Sequence, residues 1–164
     1  MGSIIMNLLK SKQKRGFVIL FALMVSSVIL AISIGISSIA LKEVSFSTSA
    51  KGTNDAFFSA DTAAECALYH DRTDINAFPI SGTVGAVNCA SNESGSGNGS
   101  TALYNFTMTG LGGQAQSCAK VTISKNAGVD PMITTISAKG YNIGDASCNS
   151  TNPNRVEREL EITY

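Results

Sequence analysis

The stretch KSKQKRGFVILFALMVSSVILAISIGISSIALKE, residues 10–43, decides how this chain folds. Four basic residues precede one glycine and then a run, Phe17–Leu41, that carries no charge. As an α-helix this run extends about 38 Å, more than the ~30 Å hydrocarbon layer of a bilayer. The run is too long for the core of a secretory signal peptide, and no small-residue cleavage site closes it. It therefore predicts a helix that spans a membrane or anchors the chain to one.

The charges around this run are unevenly placed. Lys10, Lys12, Lys14 and Arg15 lie just before it, whereas acidic residues appear only after Leu41. The positive-inside rule then predicts a single-pass protein of the cytoplasmic membrane, with its N-terminus in the cytoplasm and everything after the run exported. The whole chain has 12 basic and 12 acidic residues, so it lacks the basic field that nucleic-acid binding needs. The roughly 120 exported residues are enough for one modest domain.

The helical pattern continues beyond the apolar run. No proline occurs between Lys42 and His70. In this stretch apolar side chains recur at three- and four-residue spacing, which predicts one buried stripe along an amphipathic helix. The predicted stripe consists of Phe57, Ala60, Ala64, Ala67 and Leu68. We therefore predict one long helix with an apolar half, residues 17–41, and an amphipathic half, residues 42–70.

The remaining residues divide into a loop and a sheet. Residues 71–103 contain Pro79 and the decapeptide SNESGSGNGS at 91–100, so we predict a flexible connecting loop. Residues 104–164 contain four segments that alternate apolar and polar side chains, as half-buried strands do. The predicted inward side chains are Tyr104, Phe106 and Met108, then Val121 and Ile123, then Ile136 and Ala138, and finally Val156, Leu160, Ile162 and Tyr164. The expected fold is α+β, with the long helix packed on a four-stranded antiparallel β-sheet.

Four cysteines, Cys66, Cys89, Cys118 and Cys148, lie in the predicted exported part, where disulfides form and persist. Four cysteines allow three pairings. Cys118 begins the second predicted strand and Cys148 follows the third, which runs the other way, so both fall at the same edge of the sheet. They are placed to pair, and Cys66 would then join Cys89. Four reduced, buried cysteines are the alternative.

Lys14, Arg15, Gly16 and Phe17, followed by an uninterrupted apolar helix, resemble the N-terminus of type IV prepilins and type II secretion pseudopilins. The resemblance implies that residues 1–16 are a leader peptide, that a membrane-embedded prepilin peptidase cuts after Gly16, and that the amino group of Phe17 is methylated. It also implies a pilin-like fold. The mature subunit would leave membrane lipid and, with the membrane assembly machinery, join other pilin subunits in an extracellular filament with an adhesive or binding surface.

Phe21 departs from the family pattern, because most pilins have a glutamate at this fifth mature position. In the family that glutamate is thought to neutralise the buried amino group of a neighbouring subunit. A subunit at the filament tip has nothing above it and needs no such acid. Two interpretations therefore stay open: a minor or tip subunit, or a lineage whose pili tolerate the loss throughout.

Two other classes of function compete with the filament subunit. An uncleaved single-pass anchor that displays a small binding domain explains the apolar run equally well, and the two differ in whether the mature protein begins at Phe17. An enzyme is not expected, because the chain's one histidine, His70, stands beside Asp71 in what looks like an exposed helix end, with no motif that places a nucleophile. We expect no cofactor, no metal site and no small-molecule substrate.

Two groups of acidic residues have ordinary explanations. The spacing of Asp55, Asp61, Glu65 and Asp71 matches no calcium loop and is typical of a solvated helix face. A second group lies on the outward face of the last predicted strand and either meets a basic partner or keeps a sheet edge soluble. This group is Glu157, Glu159 and Glu161.

Overall fold

The computed structural model describes residues 15–73 and 77–164, and the side chains of residues 17–73 and 77–164. The described chain contains one long helix and six strands. They are α1 (Arg15–Arg72), β1 (Ser81–Thr83), β2 (Ser91–Asn98), β3 (Thr101–Leu111), β4 (Ser117–Asn126), β5 (Ile133–Tyr141) and β6 (Glu157–Thr163). The chain divides into two compact units, the first ending at Ser47 and the second, here called the head, comprising Thr48–Tyr164.

The strands of the head form one antiparallel meander in the order β1-β2-β3-β4-β5-β6. Each strand pairs with the strand that follows it along the chain, so hairpins suffice to connect them. The predicted α+β class, with a long N-terminal helix packed on an antiparallel sheet, is confirmed. The predicted number of strands was wrong, because the sheet has six strands and not four.

The two additional strands lie inside residues 71–103, which we had predicted to be a connecting loop. Gly95 and Gly97 of β2 explain the difference. A Cβ atom at Gly95 would lie 2.2 Å from the Leu103 carbonyl oxygen, and one at Gly97 would lie 2.1 Å from the Ile80 carbonyl oxygen. These glycines therefore permit close pairing of backbones, whereas their composition alone suggested flexibility.

Within the head, α1 packs on the sheet through alanines. The buried helix residues include Ala56, Ala60, Ala63, Ala64 and Ala67. The predicted stripe was right at Ala60, Ala64 and Ala67 but wrong at Phe57, which is 43% exposed. Gly140 of β5 gives the reason, since a Cβ atom there would lie only 2.1 Å from the Ala56 carbonyl oxygen. At this distance the facing helix residues must be small, and a phenyl ring does not fit.

The core of the head lies between α1 and the inner face of the sheet. The inward residues of the first three predicted segments, which correspond to β3, β4 and β5, are buried. Those of β6, such as Leu160 and Ile162, are only partly buried because β6 is an edge strand. Phe78, from the segment before β1, stacks on Phe106 with ring centroids 6.1 Å apart. The core of the head thus contains stacked aromatic side chains in addition to the alanine face of α1.

Candidate functional site

The apolar half of α1 presents its side chains outward in every direction. The large apolar residues from Phe17 to Leu41 are all exposed, and the helix is long and apolar enough to cross a membrane. The predicted helix of membrane-spanning length is therefore confirmed in length and composition. Its orientation and its compartment stay predictions from the charge distribution.

Four of the five serines in this apolar run donate their hydroxyl groups to the helix's own backbone. The Ser26 hydroxyl donates to the Ala22 carbonyl oxygen at 2.7 Å, and the Ser33 hydroxyl donates to that of Ile29 at 2.8 Å. Ser27 and Ser38 make equivalent bonds to the turn before them. A hydroxyl bonded in this way needs no water, which suits a dry environment.

The predicted processing residues lie at the start of α1. Lys14 is outside the described residues. Helix α1 begins at Arg15 and includes Gly16. The next residue, Phe17, is 79% exposed. Phe21 stands one turn later and is 62% exposed. The first acidic residue after it is Glu43, so the apolar surface of this half of α1 continues through the position where pilins usually carry an acid.

Two disulfides join the cysteines in the pairs expected from the sequence. Cys66 of α1 bonds to Cys89 in the loop before β2, with Cα atoms 6.4 Å apart. Cys118 at the start of β4 bonds to Cys148 in the β5–β6 connection, with Cα atoms 5.7 Å apart. Each bond closes a loop of the head, and bonds of this kind typically stabilise small domains by ~2–4 kcal/mol.

A buried ionic cluster lies where α1 ends. Asp71 forms an ion pair with Lys125 of β4, and the two side chains are only 5% and 6% exposed. The Tyr164 hydroxyl donates to the second oxygen of Asp71 at 2.7 Å, and the Arg72 guanidinium lies 4.0 Å from the centre of the Tyr164 ring. The cluster thus joins the helix end to β4 and to the last residue of the chain.

The predicted exposed pair of His70 and Asp71 was wrong, because His70 is 3% exposed and the Asp71 carboxylate is occupied by Lys125 and Tyr164. The sequence contains a signal for the burial of Lys125. Val121 and Ile123 are inward residues of β4, and Lys125 follows at the same period of two. A lysine at an inward position needs a buried acid, and Asp71 supplies it.

The cluster predicts a measurable pH dependence. Burial, and then the hydrogen bond to Asp71, raise the pKa of Tyr164 from its ordinary 10.0 to about 12. The folded chain therefore holds this proton more tightly than the unfolded chain. The stability that follows is fully present below pH ~10 and is lost as the pH rises through ~12.

Spectroscopic titration of phenolate absorbance, compared between the wild type and Tyr164→Phe, isolates the titration of this residue from those of the other tyrosines. We expect the difference curve to have its midpoint near 12. A midpoint near 10 would show that the contact between Tyr164 and Asp71 does not hold in solution.

The acidic groups show no shared ligand geometry. Asp55 and Asp61 are half-buried on α1, and Glu65 is exposed. Among the described residues, one group of histidine, cysteine or acidic side chains is spaced to hold a metal, and it does not include these three. On the outward face of the sheet, Lys139 lies 3.6 Å from Glu157 and 3.7 Å from Glu159. Lys139 therefore offsets part of the negative charge of that acidic row.

Comparison with protein-family models, with curated proteins and with solved structures found no match to this chain. The resemblance of residues 14–17 and the apolar run to prepilins therefore stays a prediction from the sequence.

Proposed function

We propose that this chain is a structural, non-enzymatic subunit of a type IV pilus or a related filament. It is inserted in the cytoplasmic membrane with its N-terminus inside, cut after Gly16 by a prepilin peptidase, and assembled through its apolar helix. One observation carries the proposal. Arg15 and Gly16 of the predicted processing site, the apolar run and the alanine face that packs on the sheet all belong to a single helix, α1, which extends from Arg15 to Arg72.

The exposed surface of residues 17–41 supports this proposal physically. So much apolar surface requires a dry environment, which lipid supplies first and neighbouring helices supply later. Small residues such as Ala22, Ser26 and Gly35 allow helices to approach one another closely. Movement from the membrane to a filament therefore replaces one apolar neighbour by another without exposing the helix to water.

The head supports an extracellular destination. Both disulfides lie in it, and disulfides persist in oxidising compartments outside the cytoplasm. The outer sheet face and the hairpin connections would form the fibre surface and carry any adhesive or binding role. Phe21 is compatible with a minor or tip subunit, and equally with a filament whose subunits all lack the glutamate at the fifth mature position. The abundance of the protein in sheared fibres separates these two cases.

The test is the N-terminus of the protein in a host that has a matching peptidase. We expect intact mass and N-terminal sequencing to show a chain that begins at methylated Phe17 in both membrane and sheared surface fractions. Gly16→Leu is expected to block cleavage, because it places a bulky side chain at the scissile carbonyl, and to remove the protein from the sheared fraction.

Gly35→Leu is the matched control for cleavage, since a Cβ atom at Gly35 meets nothing within 4 Å among the described residues. It makes the same substitution in the same apolar helix, and the variant should still be cut. An uncut wild-type chain found only in membranes would exclude the filament subunit. That result would instead establish the alternative, an uncleaved membrane-anchored surface domain, which the length and apolar character of α1 favour equally.

A further inference from the structure

His70 is buried beside the disulfide between Cys66 and Cys89. A ring nitrogen of His70 and the two sulfur atoms all lie within 4.8 Å of one another. His70 is the chain's single histidine, and its Nδ1 atom is buried with no hydrogen-bond partner among residues 15–73 and 77–164. Leaving such a polar atom unsatisfied costs about 1–3 kcal/mol, so its position calls for an explanation.

The local structure explains why the three side chains meet. Cys66 and His70 are four residues apart in α1 and so lie on the same face of the helix. Cys89 belongs to a turn in which the Ala90 amide donates to the Val87 carbonyl oxygen at 3.0 Å, and Val87 is fixed in the core. A helix face therefore supplies two side chains and a short turn supplies the third, an arrangement that resembles protein-built metal sites.

We propose that Cys66, His70 and Cys89 form a Zn²⁺ site when their disulfide is reduced. A dithiol supplies two electrons and two protons and is oxidised to its own disulfide, while the bond between Cys66 and Cys89 breaks to give two thiols. Zn²⁺ displaces the two thiol protons and binds both thiolates and a neutral imidazole nitrogen of His70. Water completes the tetrahedron. The disulfide and the zinc site are mutually exclusive, because sulfur atoms bonded to each other are not thiolates.

The donor set selects the metal. Two thiolates and one imidazole are typical ligands of zinc, whereas calcium and magnesium require oxygen ligands. On reduction the two sulfur atoms must separate to bind one metal ion, so Cys89 and its turn would have to shift relative to α1. In the reduced chain the metal would replace the disulfide as the link between α1 and the loop before β2, and it would stabilise the head by mass action.

The experiment uses the full-length chain in detergent micelles, without a histidine tag, reduced with a phosphine that is then removed. Co²⁺ serves as an optical probe and Zn²⁺ as the competitor. We expect one metal per chain and a thiolate-to-cobalt charge-transfer band. Adding the metal should slow the alkylation of Cys66 and Cys89, and it should not change that of Cys118 and Cys148, which are already buried. X-ray absorption at the zinc edge should show an imidazole nitrogen, which can come only from His70.

His70→Ala is expected to weaken Zn²⁺ binding at least about 100-fold, because loss of a ligand exceeds the effect of losing an outer partner. Reformation of the Cys118–Cys148 bond in this variant checks that the head still folds. Thiolate coordination without nitrogen, protection of Cys118 and Cys148 instead, or affinity unchanged in His70→Ala would each overturn the proposal. So would failure of the reduced wild type to bind either metal.

Discussion

Gly140→Ala is expected to lower the free energy of unfolding of the head by about 3 kcal/mol or more, a large part of the stability of a domain this small. The added Cβ atom would lie 2.1 Å from the Ala56 carbonyl oxygen and 2.3 Å from the Ala60 amide nitrogen. Both are backbone atoms of α1, so no side-chain rotation relieves the overlap. The helix must move away from β5, which opens the alanine contacts above the core.

Chemical denaturation of the full-length chain in micelles, followed by circular dichroism with both disulfides intact, measures this effect. Gly113→Ala in the β3–β4 connection is the matched control, because a Cβ atom there meets nothing within 4 Å. It makes the same change in the same sheet domain and should alter the free energy of unfolding by less than ~0.5 kcal/mol. Equal stabilities of the two variants would show that α1 and β5 are farther apart in solution.

The close contact between α1 and β5 also shows where the sequence was informative. Period-two alternation correctly predicted which residues of β3, β4 and β5 face inward, because one face of an antiparallel sheet must be dry. Helical spacing located the stripe on α1 but placed Phe57 in it. Hydrophobicity ranks phenylalanine above alanine, whereas the space above Gly140 admits only alanine.

Other features depended on contacts that no local pattern records. β2 is rich in glycine and serine, and its pairing follows from clearances at Gly95 and Gly97 that appear only when β1 and β3 are in place. The pairing of the cysteines was predictable because strand direction alone puts Cys118 and Cys148 at one edge. The burial of His70 was not predictable, because it depends on a contact with the Cys66–Cys89 disulfide, and Cys89 lies in a loop distant from His70 along the chain.

Breaking the buried ion pair between Asp71 and Lys125 is expected to produce the second large effect. Lys125→Met keeps most of the apolar stem and removes the charge, so the Asp71 carboxylate remains buried with Tyr164 as its one hydrogen-bond donor among the described residues. We expect a loss of about 3–5 kcal/mol, as for other buried pairs that lose one partner. Chemical denaturation of the full-length chain at neutral pH measures the loss.

Two further variants separate buried charge from lost packing. Asp71→Asn combined with Lys125→Met leaves no uncompensated charge and should recover most of the lost free energy of unfolding. The amide oxygen at position 71 can still accept a hydrogen bond from the Tyr164 hydroxyl. Lys139→Met makes the same substitution at an outward position of β5, where the pairs with Glu157 and Glu159 are half-exposed, and should cost less than ~1 kcal/mol.

If Lys125→Met proved no more harmful than Lys139→Met, the ionic cluster would not join the end of α1 to the sheet. A double variant as unstable as Lys125→Met alone would assign the loss to packing of the lysine stem, because neutralising Asp71 would then have relieved nothing.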